Sequence, residues 1–163
     1  MKKFFCSILI STTLLSPGLF AATTATQAVN MSIASSSNIT TSGNPATMAI
    51  TLNAAGTGSS SDNSTTYTVT SNTGDKGTLK VIGAITTGGN MPTNTALTIS
   101  LVSNSGNSQG AQSLSTTPVD LVTKLPTLLS DTGAITYGFS VNNGWTIPAQ
   151  NITRTVTLTL TSS

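Results

Sequence analysis

Histidine and glutamate are absent from this 163-residue chain, and cysteine occurs once, at Cys6. Without histidine no side chain ordinarily titrates near neutrality, which excludes nucleophilic triads and His-based acid–base catalysis. Zinc sites built from Cys and His fall by the same inventory. The entire acidic complement is Asp62, Asp75, Asp120 and Asp131. A paired-carboxylate hydrolase would need two of them together, yet all four fall in turn-rich or connecting segments and none on an expected strand. The stretches "SSDNST" and "NTGDKG" each set one carboxylate beside amide or carbonyl oxygens, too few acidic ligands for calcium. The ordinary role of such an Asp is to cap its own turn. No catalytic residue, metal or cofactor is therefore expected, and the chain reads as a non-enzyme.

Long hydrophobic runs are also scarce. The first stretch, "MKKFFCSILISTTLLSPGLFA", carries Lys2 and Lys3, an apolar run interrupted by serine and threonine, the breaker pair Pro17 and Gly18, then alanines. That is the layout of a secretory signal helix, with cleavage expected after Ala21. The run falls short of the roughly 20 apolar residues of a spanning helix. The expected organisation is a signal peptide over residues 1–21 and a single domain over 22–163, with no membrane span after cleavage and a destination in the periplasm, on the cell surface or outside the cell.

Cleavage would remove Cys6 together with Lys2 and Lys3. Lys76, Lys80, Lys124 and Arg154 then balance the four aspartates, so the formal charge of +2 belongs to the leader. A nucleic-acid or anionic-lipid partner loses its electrostatic basis. An exported domain without cysteine draws its stability from packing and strand ladders alone.

What the chain has in plenty is threonine, serine and asparagine alternating with aliphatic residues, the period-2 signature of half-buried strands. "QAVNMSIA" puts Val29, Met31 and Ile33 on one face, and "TMAITLN" does the same for Met48, Ile50 and Leu52. "TTYTVTS" aligns Tyr67 with Val69, "TALTISLVS" aligns Leu97, Ile99 and Leu101, and "GAITYGFSVN" aligns Ile135, Tyr137, Phe139 and Val141. In "GTLKVIGAITT" the period slips after Val81, which suggests a bulge or a strand buried on both faces. The segment "NITRTVTLTLTSS" closes the set, with Val156, Leu158 and Leu160 as core of the last strand. Glycine- and asparagine-rich turns fall between, including Gly56 to Asn63 and Asn104 to Gly110. "STTPVDLVTKLPTLL", bracketed by Pro118 and Pro126, reads as a short helical turn or an irregular crossover, with a connection between sheets the favoured reading. Strands at this spacing predict an all-β, immunoglobulin-like antiparallel sandwich of roughly seven to nine strands.

Aromatic residues are few, and Trp145 stands apart, in a loop after "VNNG". It either folds back to cap one end of the core or stacks on a sugar face. Lys80, between Leu79 and Val81, is expected on the solvent face rather than in a buried isopeptide crosslink. Ice binding by the threonine rows would require a repeat, and no fixed period is present.

The closing segment "AITYGFSVNNGWTIPAQNITRTVTLTLTSS" resembles the last strand pair of exported bacterial β-sandwiches of the spore coat protein U and fimbrial-subunit type. That resemblance implies an assembled surface or appendage protein. The expected function is a non-enzymatic structural subunit of a bacterial surface layer, fimbria-like fibre or appendage, with self-association or other surface subunits as partners. The candidate assembly strand is Val29, Met31 and Ile33, able to pair at home or to insert into a neighbour. The alternative is a monomeric secreted adhesin or carbohydrate-binding module, with Trp145 as ligand contact and a glycan as partner.

Overall fold

The structure, a computed structural model of the chain, describes residues 27–74 and 78–163. The expected signal helix and its cleavage site, and Asp75 and Lys76, lie outside the described residues. Residues 33–163 form one compact unit, distinct from the N-terminal unit that holds residues 27–32.

Nine strands build the compact unit: β1 (Ser37–Thr41), β2 (Gly58–Asn72), β3 (Leu79–Thr87), β4 (Thr95–Leu101), β5 (Asn107–Ser108), β6 (Gln112–Ser113), β7 (Val119–Leu125), β8 (Leu128–Val141) and β9 (Thr155–Ser162). They form two antiparallel sheets, one in the order β1-β2-β8-β4-β6 and the other β5-β7-β3-β9. In an immunoglobulin-like sandwich strands A, B, E and D share one sheet and C, F and G the other. Here β1, β2, β8 and β4 stand in A-B-E-D order, and β3 and β9 stand as C and F. Strands β5, β6 and β7 are inserted between the D and E positions, and β7 pairs with the far side of β3. Among the described residues no strand takes the G place beside β9.

The core follows the alternation of the long strands. Tyr67 and Val69 of β2, Leu79, Val81 and Ile85 of β3, Leu97, Ile99 and Leu101 of β4, and Ile135, Tyr137 and Val141 of β8 are all buried, while Phe139 is only half-buried. The phenol of Tyr67 donates to the Val102 carbonyl (3.0 Å), and burial pushes both tyrosine hydroxyls above their ordinary pKa. Gly133, opposite Tyr67 in the β2–β8 ladder, lets that carbonyl and the ring settle onto the sheet.

Several expectations are corrected. The proline-bracketed segment is not a helical turn or an irregular stretch: it is strand β7 of one sheet followed by the start of β8 in the other, so it does connect the sheets, as regular ladder. Its period was obscured because Leu121 and Val122 are both fully buried, and Lys124 sits at φ 56°. The register with β3 shifts on both sides of Val81. Strand β3 itself keeps strict alternation through Leu79, Val81, Gly83 and Ile85, so the irregularity lies in its partner. Leu121 fills the space above Gly83, where a Cβ would come within 2.7 Å of Leu121 Cδ1.

The low-complexity stretch expected as a turn from Gly56 to Asn63 is largely strand, because β2 begins at Gly58; the turn is shorter and runs from Asn53 to Thr57. Likewise β5 lies inside the expected Asn104–Gly110 turn. The aspartates expected in turns are on strands: Asp62 on β2, Asp120 on β7 and Asp131 on β8. Asp131 is buried because Ser103 Oγ (2.6 Å) and the Asn104 N–H (3.3 Å) donate to it, tying the chain after β4 to the sheet. Lys80 makes an ion pair with Asp120 (3.0 Å), on the partly exposed outer face of the sheet.

Candidate functional site

The "QAVNMSIA" and "TMAITLN" patterns do not form ladders. Residues 27–36 carry no strand, and Val29, Met31 and Ile33 are 70%, 89% and 90% exposed. Alternation is necessary for a half-buried strand but does not supply a partner, and here β1 begins only at Ser37. Asn72 defines the departure point: its Oδ1 accepts the Ser36 N–H (2.6 Å) and its Nδ2 donates to the Ala34 carbonyl (3.1 Å). Residues 44–53 do stay beside β2. The register that pairs Thr41 with Tyr67 would oppose Ala46 to Asp62 and Ile50 to Gly58, and both pairs touch. The Asp62 carboxylate accepts from Ser64 and from the Ala46 backbone, which lowers its pKa. Met48, Ile50 and Leu52 remain half-buried, and only Met48 packs on the core.

Strand β9 pairs with β3 along its whole length, Val156 with Ile85, Leu158 with Gly83 and Leu160 with Val81. Its apolar residues face the core but are half-buried rather than enclosed, because β9 is an edge strand. The threonine face points outward, and Thr157 shares a hydroxyl hydrogen bond with Thr86 (2.9 Å). Successive residues of an antiparallel strand direct their backbone groups to alternate sides. Ser163 N–H donates to Thr78 O (2.9 Å), and Ile85 N–H turns away from β9 to Ser115 O (2.8 Å). The N–H and C=O groups of Val156, Leu158 and Leu160 therefore point to the open side. Among the described residues no strand receives them.

Proteins usually protect such an edge with charge, proline, a bulge or brevity. The edges at β5 and β6 are two residues long. Strand β9 is eight residues, uncharged and free of proline. It lies near β1, the edge strand of the other sheet, so the seam between them is bordered by Ile39 on one side and Val156, Leu158 and Leu160 on the other.

Trp145 sits elsewhere, in a 3₁₀ turn over Gly144–Thr146 between β8 and β9. It belongs to the loop that precedes β9 and not to the β9 row itself. It is 67% exposed and does not cap the core; its ring lies over Gly56. Asn72 escaped notice in the sequence because its partners are 36 and 38 residues away, and nothing local marks it.

No three of the Asp, Glu, His or Cys side chains gather among the described residues, and no helix there is long and apolar enough to cross a membrane. The fold defines an all-β, two-sheet antiparallel sandwich in which, among the described residues, β9 is a long edge without a partner. No family model, curated protein or solved structure matches the chain.

Proposed function

We propose that this protein is an exported, non-enzymatic structural subunit of a bacterial surface layer, fimbria-like fibre or appendage, and that its copies join by strand donation. The observation that carries the reading is the open side of β9, where the G strand of an immunoglobulin-like sandwich would lie. The donor is the segment around Val29, Met31 and Ile33 of a neighbouring copy. Its three aliphatic side chains match the alternation of Val156, Leu158 and Leu160, and its backbone supplies the ladder groups that β9 lacks. The leader-like residues 1–21 support export.

Complete burial of three aliphatic side chains contributes about 5 to 9 kcal/mol. Association costs about 4 to 15 kcal/mol in lost freedom. Apolar burial alone thus leaves pairing near balance, and the main-chain ladder decides it. Assembly should therefore be concentration-dependent and cooperative along a fibre.

The test is sedimentation and negative-stain microscopy of the chain from residue 22. Oligomers or fibres are expected for the intact chain and monomers for a Met31→Lys variant or a deletion of residues 22–34, with the deleted body still folded. A synthetic peptide spanning residues 26–36 should bind that body and raise its melting temperature. A monodisperse, folded monomer of the intact chain at high concentration would sink the proposal.

A further inference from the structure

The topology brings three sequence-distant loops, residues 53–57, 88–94 and 142–154, to one end of the sandwich. Gly58 and Thr95 both pair with Val141 in one sheet, and Thr87 pairs with Thr155 in the other, which aligns the strand ends that carry these loops. Hydrogen bonds then lock loop to loop. Gly144 N–H donates to Gly56 O (2.7 Å), Asn142 N–H to Asn94 O (2.9 Å), Asn94 Nδ2 to Thr146 Oγ1 (3.2 Å), and Arg154 Nη2 to Asn90 O (2.9 Å).

Trp145 stands on this frame with the Cδ1–Nε1 part of its indole against Gly56 and most of the residue exposed. A Cβ at Gly56 would fall 2.7 Å from Cδ1 and Nε1 of the indole, so the glycine, at φ +73°, is the floor under the ring. Gly144 is buried against Leu52, which anchors the turn on the side away from solvent. Asn94 holds a left-handed backbone, φ 64°, as the third residue of the turn closed by Thr95 N–H to Pro92 O (3.0 Å), a place that asparagine fills readily. A large aromatic side chain is thus kept two-thirds exposed on a rigid support.

The chemistry around it is amide, not charge. The three loops contain no carboxylate, and their one charge, Arg154, donates to the carbonyls of Thr153 and Asn90. The side chains of Asn142 and Asn143 make no hydrogen bond within the described residues. A cationic ligand would find no counter-charge here, and an apolar peptide would meet amides at the ring's margin. An uncharged saccharide meets both requirements: its C–H face stacks on the exposed indole, and its hydroxyls bond the exposed amides.

We infer that the Trp145 end of the sandwich is a binding site for a neutral glycan, built by the loops 53–57, 88–94 and 142–154. The site is independent of the β9 edge, so a subunit can bind sugar whether or not it assembles.

Trp145 is the chain's one tryptophan, so its emission reads the site directly. Titrating the purified protein with a panel of neutral oligosaccharides should give a saturable change in emission for at least one of them. Calorimetry on Trp145→Ala should show affinity for that sugar reduced by at least about tenfold, a loss of 1.4 kcal/mol, with an unchanged melting temperature. Asn143→Ala should weaken binding with Trp145 and its fluorescence in place. Met31→Lys should bind as the parent does, which separates this result from failure of strand donation. No saturable response to any neutral sugar, equal binding by Trp145→Ala, or a large loss of stability in that variant would each overturn the inference.

Discussion

Replacing Gly133 with alanine tests how the chain after β4 is held on its own sheet. A Cβ at this position would run into the Val102 carbonyl oxygen, and it would lie 2.8 Å from the carbonyl carbon and 2.9 Å from Cε1 of Tyr67. The obstacle is backbone on one side and a fully buried ring on the other, so neither yields as the tip of a flexible side chain would. Moving the carbonyl breaks the Tyr67 hydroxyl bond to Val102 O and disturbs the Val102 N–H bond to Ala134 O, each 3.0 Å. An orphaned buried hydroxyl costs about 1 to 3 kcal/mol, and overpacking adds about 1 to 3 kcal/mol. The expected loss is about 2 to 6 kcal/mol, or a fall in Tm of roughly 6 to 24 °C for a body of this size. Denaturant and thermal melts by circular dichroism read it. Tyr67→Phe alone should cost about 1 to 1.5 kcal/mol. In the Gly133→Ala background the same change should cost nearly nothing, because the bond is already gone. Strict additivity, or a Gly133→Ala variant melting within about 2 °C of the parent, would refute the packing argument.

Tyr67 and Tyr137 carry the alkaline pH response, since burial raises both above the ordinary tyrosine value. Their folded pKa exceeds the unfolded one, so the stability they contribute is complete below about pH 10 and is lost as pH rises through the folded value. Tyrosinate absorbance should therefore appear together with loss of the β signal; titration at the ordinary value with the fold intact would contradict this. Asp120→Asn breaks the ion pair with Lys80 on a partly exposed sheet face. It should cost less than about 1 kcal/mol, and the difference should shrink in high salt; a loss of several kcal/mol would show that the pair is more than a surface contact.

The alternating segments of β2, β4, β8 and β9 were legible because period 2 is a local property and each side chain reports its own face. Strand β7 was not. Its adjacent buried residues, Leu121 and Val122, break the period, and the prolines at 118 and 126 imitate the ends of a connector. Asp131 looked like a turn residue because its stabilising partners, Ser103 and Asn104, lie in a segment that only the fold brings near. The row at Val29, Met31 and Ile33 was legible as a pattern, but whether it has a partner at home was not.

By itself the sequence determined a class and a chemistry. Its inventory removes histidine-based catalysis, its first 21 residues carry the pattern from which a signal peptide is expected, and its alternation makes sheets, because each of these depends on the residues themselves or on their nearest neighbours. Tertiary structure decided which strand stands at an edge and which loops share an end. Strand order arises from pairings among distant segments, so the pattern of β9 would read the same in a central strand as at an edge. Its side without a partner among the described residues, and the frame around Trp145, exist only after the sheets have assembled.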